Sequence, residues 1–209
     1  MNILILSPHT DDAELGAGGT ISKFLSEGQK IKWVVFSTAE ESLPKELPSD
    51  TLSREFKNVY KSLGLKDDDV EIFHFKVRHL NYHRQEVLEE LYKIKKSFNP
   101  DLVIGPSMND LHQDHKTVAE EMLRAFKSSS SIISYELPWN HLTFNTQMFI
   151  KLDDNQIIKK LEMLNHYESQ IKLGRYYFSE DFIRGLALTR GAQINHKFAE
   201  AFEVIRWII

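Results

Sequence analysis

The segment SPHTDDAELGAGG, residues 7–19, carries one imidazole and two carboxylates within four positions. His9 and Asp12 are three residues apart, a spacing at which an imidazole and a carboxylate can reach the same cation. The adjacent carboxylate of Asp11 is then free for a separate task, because it can accept a proton from a water that a metal activates. Taken alone, these residues are more typical of a solvated acidic turn that caps a helix.

A second cluster, LHQDH at residues 111–115, favours a metal site over a capping turn. His112 and His115 are three residues apart, so that one imidazole can bind a metal while the other faces a substrate. Asp114 can either orient an imidazole through a hydrogen bond or cap the following helix. Asp110 provides a further carboxylate on the same loop.

Together the two clusters contain enough ligands for a catalytic metal site. His9, Asp12 and His115 would give three nitrogen or oxygen ligands, and three such ligands plus water are typical of catalytic rather than structural zinc. The chain has no cysteine, which excludes disulfides, thiolate zinc sites and cysteine nucleophiles. Two imidazoles and one carboxylate suit Fe(II) as well as zinc.

Apolar and amphipathic segments alternate around the two clusters. The pattern predicts strands at Asn2–Leu6, Ile31–Phe36, Val70–Phe75, Leu102–Gly105, Ile132–Glu136, Gln147–Leu152 and Phe202–Ile208. It predicts helices at Gly18–Glu27, Leu52–Leu63, Gln85–Phe98, Lys116–Phe126, Gln156–Tyr167 and Glu180–Thr189. This order indicates a Rossmann-like α/β fold in a single domain over residues 1–209, with a mostly parallel sheet and helices on both of its faces. Each cluster follows a strand, and ligands bind beyond the carboxyl ends of the strands in such sheets.

Three glycines follow the first cluster and raise the alternative of a phosphate-binding loop. Gly16, Gly18 and Gly19 would permit a tight turn and a close approach of the backbone to a ligand. The pattern matches neither G-x-G-x-x-G nor a Walker loop, and the two preceding aspartates would repel an anion. We therefore favour the metal site.

The composition favours a soluble globular protein and restricts its partners. The 209 residues are 42% hydrophobic and 27% charged, with a net charge of −4, which is ordinary for a globular chain. This charge gives no basic surface for nucleic acid or an anionic membrane. No apolar run reaches the ~18 residues that span a bilayer, and the start of the chain lacks the features of a secretory signal. We expect a cytoplasmic enzyme with no nucleic-acid partner.

The two clusters together resemble the motifs of the LmbE-like, or PIG-L, N-deacetylase family. SPHTDDAELGAGG is similar to the first motif, P-H-P-D-D-E/A-E-x-G-x-G-G, and HQDH to the second, H-x-D-H. Weaker segments follow in the family's order, with SRE at 53–55, HYESQ at 166–170, TRG at 189–191 and FAEAFE at 198–203. The chain departs from the pattern at Thr10, where the family usually has proline, and at Phe198, where it usually has tyrosine.

The resemblance implies a zinc-dependent hydrolase that removes an N-acetyl group from an amino sugar or a sugar conjugate. It implies that His9, Asp12 and His115 bind the zinc ion. It is also compatible with a homo-oligomer. No pattern in the chain selects one N-acetylated sugar over another.

The remaining roles also follow from the resemblance. Asp11 would be the general base, and His112 would stabilise the oxyanion or protonate the leaving amine, with Asp114 orienting it. Either Asp11 or His112 could protonate the amine. Arg54 and Asp110 are assigned to substrate binding.

Three alternatives stay open. A non-catalytic metal-binding or sugar-binding module would need no spare carboxylate such as Asp11. A nucleotide transferase would need an acidic ribose contact about 20 residues after the glycines, where Glu40 is the nearest candidate. An amidase or metallopeptidase of another acyl substrate would keep the metal site, although the H-E-x-x-H helix is absent. Trp139 could line a sugar pocket or lie in the core.

Overall fold

Seven strands alternate with helices, and the computed structural model describes every residue from Met1 to Ile209. The strands are β1 (Asn2–His9), β2 (Lys30–Ser37), β3 (Val70–Ile72), β4 (Leu102–Gly105), β5 (Ser131–Tyr135), β6 (Met148–Leu152) and β7 (Phe198–Arg206). The helices are α1 (Asp12–Ser26), α2 (Thr51–Ser62), α3 (Arg84–Phe98), α4 (Gln113–Phe126), α5 (Asp154–Asn165), α6 (Glu168–Lys172) and α7 (Glu180–Ala192). No helix combines the length and the apolar character that a membrane span requires.

The strands form one sheet in the order β3-β2-β1-β4-β5-β7-β6. The first five strands along the chain are parallel to one another, whereas β7 runs antiparallel to both β5 and β6. The predicted α/β fold with a mostly parallel sheet is therefore confirmed. The chain builds outward from β1 to β3 and then returns to place β4 on the other side of β1. This reversal creates a crevice at the carboxyl ends of β1 and β4, where ligands bind in such folds.

Successive side chains of β1 pack on opposite faces of the sheet, as the two-residue period of a strand requires. Ile3 and Ile5 belong to the apolar core formed with α1, α2, α5 and α7. Leu4 and Leu6 belong to a second core formed with α3 and α4. Helices therefore cover both faces of the sheet, as predicted.

The glycine-rich segment is helical, because α1 begins at Asp12 rather than at Gly18. A Cβ atom at Gly16 would lie 2.5 Å from the ring of Tyr135, and one at Gly18 would lie 3.0 Å from Cγ of Lys160. The prediction of a tight turn is therefore wrong. The small residues let α1 pack closely against the sheet and α5, and they lie outside the cavity described below.

Other differences concern the ends of elements. α4 begins at Gln113, so the HQDH cluster lies in its first turn rather than ahead of it. β7 begins at Phe198, four residues before the predicted start. The short helix α6 lies between two predicted helices, in a segment that was not predicted as helical.

Candidate metal centre and active site

Three donor atoms from the two clusters converge at the crevice between β1 and β4. His9 is the last residue of β1, Asp12 is the first residue of α1, and His115 lies in the first turn of α4. His9 Nδ1 and His115 Nε2 each lie 3.2 Å from Asp12 Oδ2, and the two nitrogens lie 3.2 Å from one another. The three residues are 9%, 6% and 2% exposed, so the triangle is buried.

This triangle has the size of one face of a tetrahedral zinc site. Ligand bonds of ~2.0–2.1 Å in a tetrahedron separate the ligand atoms by roughly 3.3 Å, close to the 3.2 Å observed. A second set, His9, His112 and His115, offers three nitrogens within 4.8 Å of one another. The set that includes Asp12 fits the ion more closely and adds a negative charge.

Each imidazole of the triangle is held by a carboxylate at its other nitrogen. His9 Nε2 lies 3.0 Å from Asp114 Oδ2, and His115 Nδ1 lies 2.7 Å from Asp110 Oδ2. Such pairs fix the ring and its tautomer, so that the other nitrogen is available to a metal. The resemblance implied that Asp114 orients His112. This expectation is wrong, because the Asp114 carboxylate contacts His9 instead. The expectation that Asp110 faces the substrate is likewise wrong, since Asp110 is 3% exposed and holds His115.

The two orienting carboxylates are themselves held by backbone amides. Asp114 accepts hydrogen bonds from the N–H groups of Arg78, at 2.5 Å, and Leu80, at 3.1 Å. Asp110 Oδ1 accepts a hydrogen bond from the N–H of His112 at 2.8 Å. The loop at residues 76–83 therefore helps to fix the position of His9.

His112 lies at the wall of the cavity and caps α4. Its Nδ1 accepts a hydrogen bond from the N–H of Asp114 at 3.2 Å. A neutral ring that accepts at Nδ1 carries its proton on Nε2. Burial, with the neighbouring His115 and His9, lowers the pKa of His112 to about 4, which keeps the ring neutral. The side chain is therefore a hydrogen-bond donor at Nε2.

Asp11 faces the cavity without joining the triangle. It occupies the N-cap position of α1, yet its side chain makes no capping hydrogen bond, which argues against a purely capping role. Burial and the Asp12 carboxylate raise the pKa of Asp11 to about 6.

The negative charge of the triangle lies on the Asp12 carboxylate. Burial alone would raise the pKa of its carboxyl group, but His115 and His9 hold it far below its usual range. Burial lowers the pKa of His9 and of His115, but interactions with Asp12 and with the orienting carboxylates outweigh it and bring them to about 9 and about 10. A buried carboxylate needs a cation nearby, and a divalent ion would meet that need in place of the two protons.

A cavity of about 290 Å³ opens in front of this cluster. Its walls are formed by His9, Thr10, Asp11, Asp12, Leu15, Ala39, Ser42, Leu52, Val77, Arg78, His112, His115, Trp139, Asn140, Gln170, Arg175 and Tyr177. Trp139 stacks on Tyr177 with ring centres 4.0 Å apart and planes at 9°. Of the two expectations for Trp139, the pocket wall is therefore confirmed.

Arg54 does not line the cavity. Its side chain is 59% exposed, and its Nε lies 3.1 Å from Asp50 Oδ2. The neighbouring Glu55 is buried, and it accepts hydrogen bonds from the N–H and Oγ of Ser169 at 2.8 and 2.7 Å. The SRE and HYESQ segments thus meet through Glu55. The arginines at the cavity wall are Arg78 and Arg175, which no sequence pattern had identified.

The sequence pattern of the family described as PIG-L: GlcNAc-PI de-N-acetylase matches residues 4–126, which is more than half of the chain and includes both clusters. The chain belongs to the PIG-L family. The resemblance noted from the two motifs is confirmed.

Members of the PIG-L family and related structures resemble the chain along most of its length. A protein of Escherichia coli named uncharacterized deacetylase YaiS is 26% identical and covers 80% of this chain and 90% of its own length. The diacetylchitobiose deacetylase of Thermococcus kodakarensis is 25% identical, over 97% and 82% of the two chains. The structure of the N,N'-diacetylchitobiose deacetylase of Pyrococcus horikoshii superposes with a TM-score of 0.80 at 20% identity, over 98% and 83%.

The same fold also occurs in a protein with a different reaction. The structure of a 4-carboxy-2-hydroxymuconate hydratase from Pseudomonas putida superposes with a TM-score of 0.75 at 18% identity, over 100% of this chain and 97% of the other. The fold alone therefore does not define the reaction, which has to be argued from the site.

Proposed function

We propose that the chain is a metal-dependent N-deacetylase that removes an acetyl group from an amino sugar or a sugar conjugate. The observation that carries the proposal is the buried triangle of His9 Nδ1, Asp12 Oδ2 and His115 Nε2, with 3.2 Å edges, next to a carboxylate and an imidazole that face the cavity. Membership of the PIG-L family and the two deacetylases at 25–26% identity support the same reaction.

His9, Asp12 and His115 would hold the metal, with zinc as the proposed ion and Fe(II) as the alternative. When bound, the metal supplies a Lewis acid that polarises the acyl carbonyl and makes a water molecule more acidic. Asp110 and Asp114 keep the two imidazoles in the orientation that the ion requires.

Asp11 is the proposed general base. It faces the same cavity as the triangle and makes no capping hydrogen bond, so its carboxylate is available to a water. A carboxylate in this position takes the proton of the water as the oxygen attacks the acyl carbon.

His112 is the proposed donor to the acyl oxygen. Because its Nδ1 accepts the N–H of Asp114, its Nε2–H can donate to the negative charge that develops on that oxygen. The amide nitrogen must gain a proton before the C–N bond breaks. Asp11, after taking the water's proton, would supply it, because a neutral His112 whose Nδ1 accepts a hydrogen bond can donate at Nε2 but has no acidic proton to transfer.

The lining of the cavity favours a sugar as the substrate over a long acyl chain. Trp139 and Tyr177 present a stacked aromatic surface at its wall, and Asn140 and Gln170 add polar groups that can hydrogen-bond to hydroxyls. The relatives named for diacetylchitobiose support the same substrate class.

Acetate release tests the proposal. The purified chain would be stripped of metal, reloaded with zinc or Fe(II), and incubated with N-acetylglucosamine, N,N'-diacetylchitobiose, a nucleotide-linked N-acetyl sugar and an N-acetyl amino acid. We expect acetate and free amine from at least one sugar, only in the metal-loaded protein. Release from the amino acid alone would favour the amidase alternative, and metal binding without release from any substrate would favour a binding module.

A further inference from the structure

Helix α1 is broken one turn after the residues that enter the metal triangle. Ala17 has φ of −141° and ψ of 15°, outside the helical range, and divides α1 into a first part with Asp12 and Leu15 and a second part that starts at Gly18. Such a break leaves carbonyl groups of the first part and N–H groups of the second without partners inside the helix.

One buried ion pair satisfies both sides of this break. Lys160 Nζ donates to the carbonyl of Leu15 at 2.7 Å and to Glu200 Oε1 at 2.7 Å. The Glu200 carboxylate accepts the N–H of Gly19 at 3.0 Å and of Thr20 at 2.7 Å. The cation meets the carbonyl end of one part and the anion meets the N–H end of the next, as the helix dipole favours. Both Lys160 and Glu200 are 5% exposed.

The geometry points to a positioning role: we propose that the Lys160–Glu200 pair sets the direction of the first part of α1 and thereby places Asp12 in the metal triangle. The inference rests on the proposed metal site. Leu15, which receives the Lys160 hydrogen bond, lines the cavity and donates its own N–H to the carbonyl of Asp11 at 3.1 Å. The Lys160–Glu200 pair is thus linked through one backbone turn to Asp11 and Asp12.

The small tolerance of the triangle explains why this direction matters. Asp12 Oδ2 lies 3.2 Å from both imidazole nitrogens, and a misplacement of ~1 Å at a site can cost about a hundredfold in function. A buried ion pair is weak evidence for stability, because well-packed apolar residues often replace such a pair at no cost. Control of backbone conformation is therefore the better explanation for its presence.

The test measures zinc affinity and thermal unfolding of the full chain carrying Lys160→Met and Glu200→Gln together, since neutralising both partners leaves no unpaired buried charge. Zinc itself is the probe, in competition with a chromophoric chelator. We expect the melting temperature of the metal-free double variant to stay within a few degrees of wild type. We expect its zinc affinity to fall at least tenfold, which is about 1.4 kcal/mol. The visible spectrum of the Co(II)-loaded protein should change with it, because the position of Asp12 alters the ligand geometry.

A second ion pair, with one buried and one half-exposed partner, gives a control. Glu121 is fully buried and lies 2.6 Å from Arg84 in a contact between α3 and α4. The variant Arg84→Met with Glu121→Gln should keep wild-type zinc affinity, because this pair does not touch α1.

Each outcome separates this inference from the proposed function. Unchanged affinity in a folded Lys160/Glu200 double variant, or an equal loss in the Arg84/Glu121 control, would overturn the positioning role. If the double variant does not fold, Glu200→Asp decides, because it keeps the buried negative charge but shortens the side chain; a lower zinc affinity would support the positioning role and an unchanged one would overturn it. Wild-type protein that binds no zinc would instead overturn the metal site itself.

Discussion

The Nε2 atom of His9 lies 3.0 Å from Oδ2 of Asp114, and this contact turns Nδ1 of the same ring toward Asp12 and His115. The two residues are 105 positions apart in the chain and meet only because β1 and β4 are neighbours in the sheet. Asp114, a residue of the second motif, therefore orients His9, the imidazole of the first motif.

Asp114→Asn should weaken metal binding. Both carboxylate oxygens accept hydrogen bonds, Oδ2 at His9 and Arg78 and Oδ1 at Leu80, and an asparagine has only one accepting oxygen and no charge. Loss of such an orienting carboxylate typically costs 10–100-fold in metal affinity. A chelator competition assay with zinc measures the change. Asp101→Asn, which alters an exposed carboxylate bound to the N–H of Asn2, is the control, and equal affinities in the two variants would refute the role of Asp114.

Asp12→Ala and His112→Ala should separate the two candidate ligand sets. If the triangle with Asp12 binds the metal, Asp12→Ala loses most of its zinc. His112→Ala would keep about one zinc per chain and lose roughly 10²–10³-fold in turnover, as expected for loss of an oxyanion donor. Elemental analysis of the dialysed proteins gives the zinc content. The reverse result would favour the set of three histidines that also lie within 4.8 Å.

Arg175→Ala should raise KM about tenfold, a typical cost for the loss of a hydrogen bond from a charged group, because Arg175 lines the cavity. Arg54→Ala is the matched comparison, since its side chain is 59% exposed and pairs with Asp50. We expect KM within about twofold of wild type for that variant. Steady-state kinetics on the best substrate measure both. A larger effect at Arg54 than at Arg175 would restore the original assignment of Arg54 to the substrate.

Gly16→Ala should destabilise the fold by about 1–3 kcal/mol, the usual cost of overpacking, because the new Cβ would lie 2.5 Å from the ring of Tyr135. Gly185→Ala, in the exposed part of α7 where a Cβ meets nothing within 4 Å, should instead stabilise by up to ~1 kcal/mol. Urea unfolding of the metal-free proteins measures both changes. Similar shifts in the two variants would show that Gly16 is not needed for packing.

The sheet and the main residues of the site could be predicted because they depend on local patterns. β-strands buried on both faces appear as continuous apolar runs such as NILIL in β1, and polar residues directly after two such runs must meet if the strands are neighbours. The three residues of the triangle follow from this argument and from the motif spacing.

The orienting contacts and the cavity wall could not be predicted, because they depend on contacts between distant segments. Asp114 is one residue from His115 and two from His112, so proximity in the chain favoured the wrong imidazole. Arg175 comes from a segment with no motif, and its place at the cavity results from the packing of the chain after α6. The helix was predicted to begin at Gly18, so the helical state of Gly16 was missed because glycine has low intrinsic helix propensity. Packing against Tyr135 determines it here.

The most direct test of the account measures acetate release and bound zinc together, in wild-type protein and in Asp11→Asn. The account predicts that wild-type protein releases acetate from an N-acetylated sugar only when it is loaded with zinc. It also predicts that the rate rises with bound zinc until about one ion is bound per chain. It predicts that Asp11→Asn retains the zinc and loses at least about a hundredfold in rate, as expected when a general base is removed. Equal rates with and without zinc, or a wild-type rate in Asp11→Asn, would contradict it.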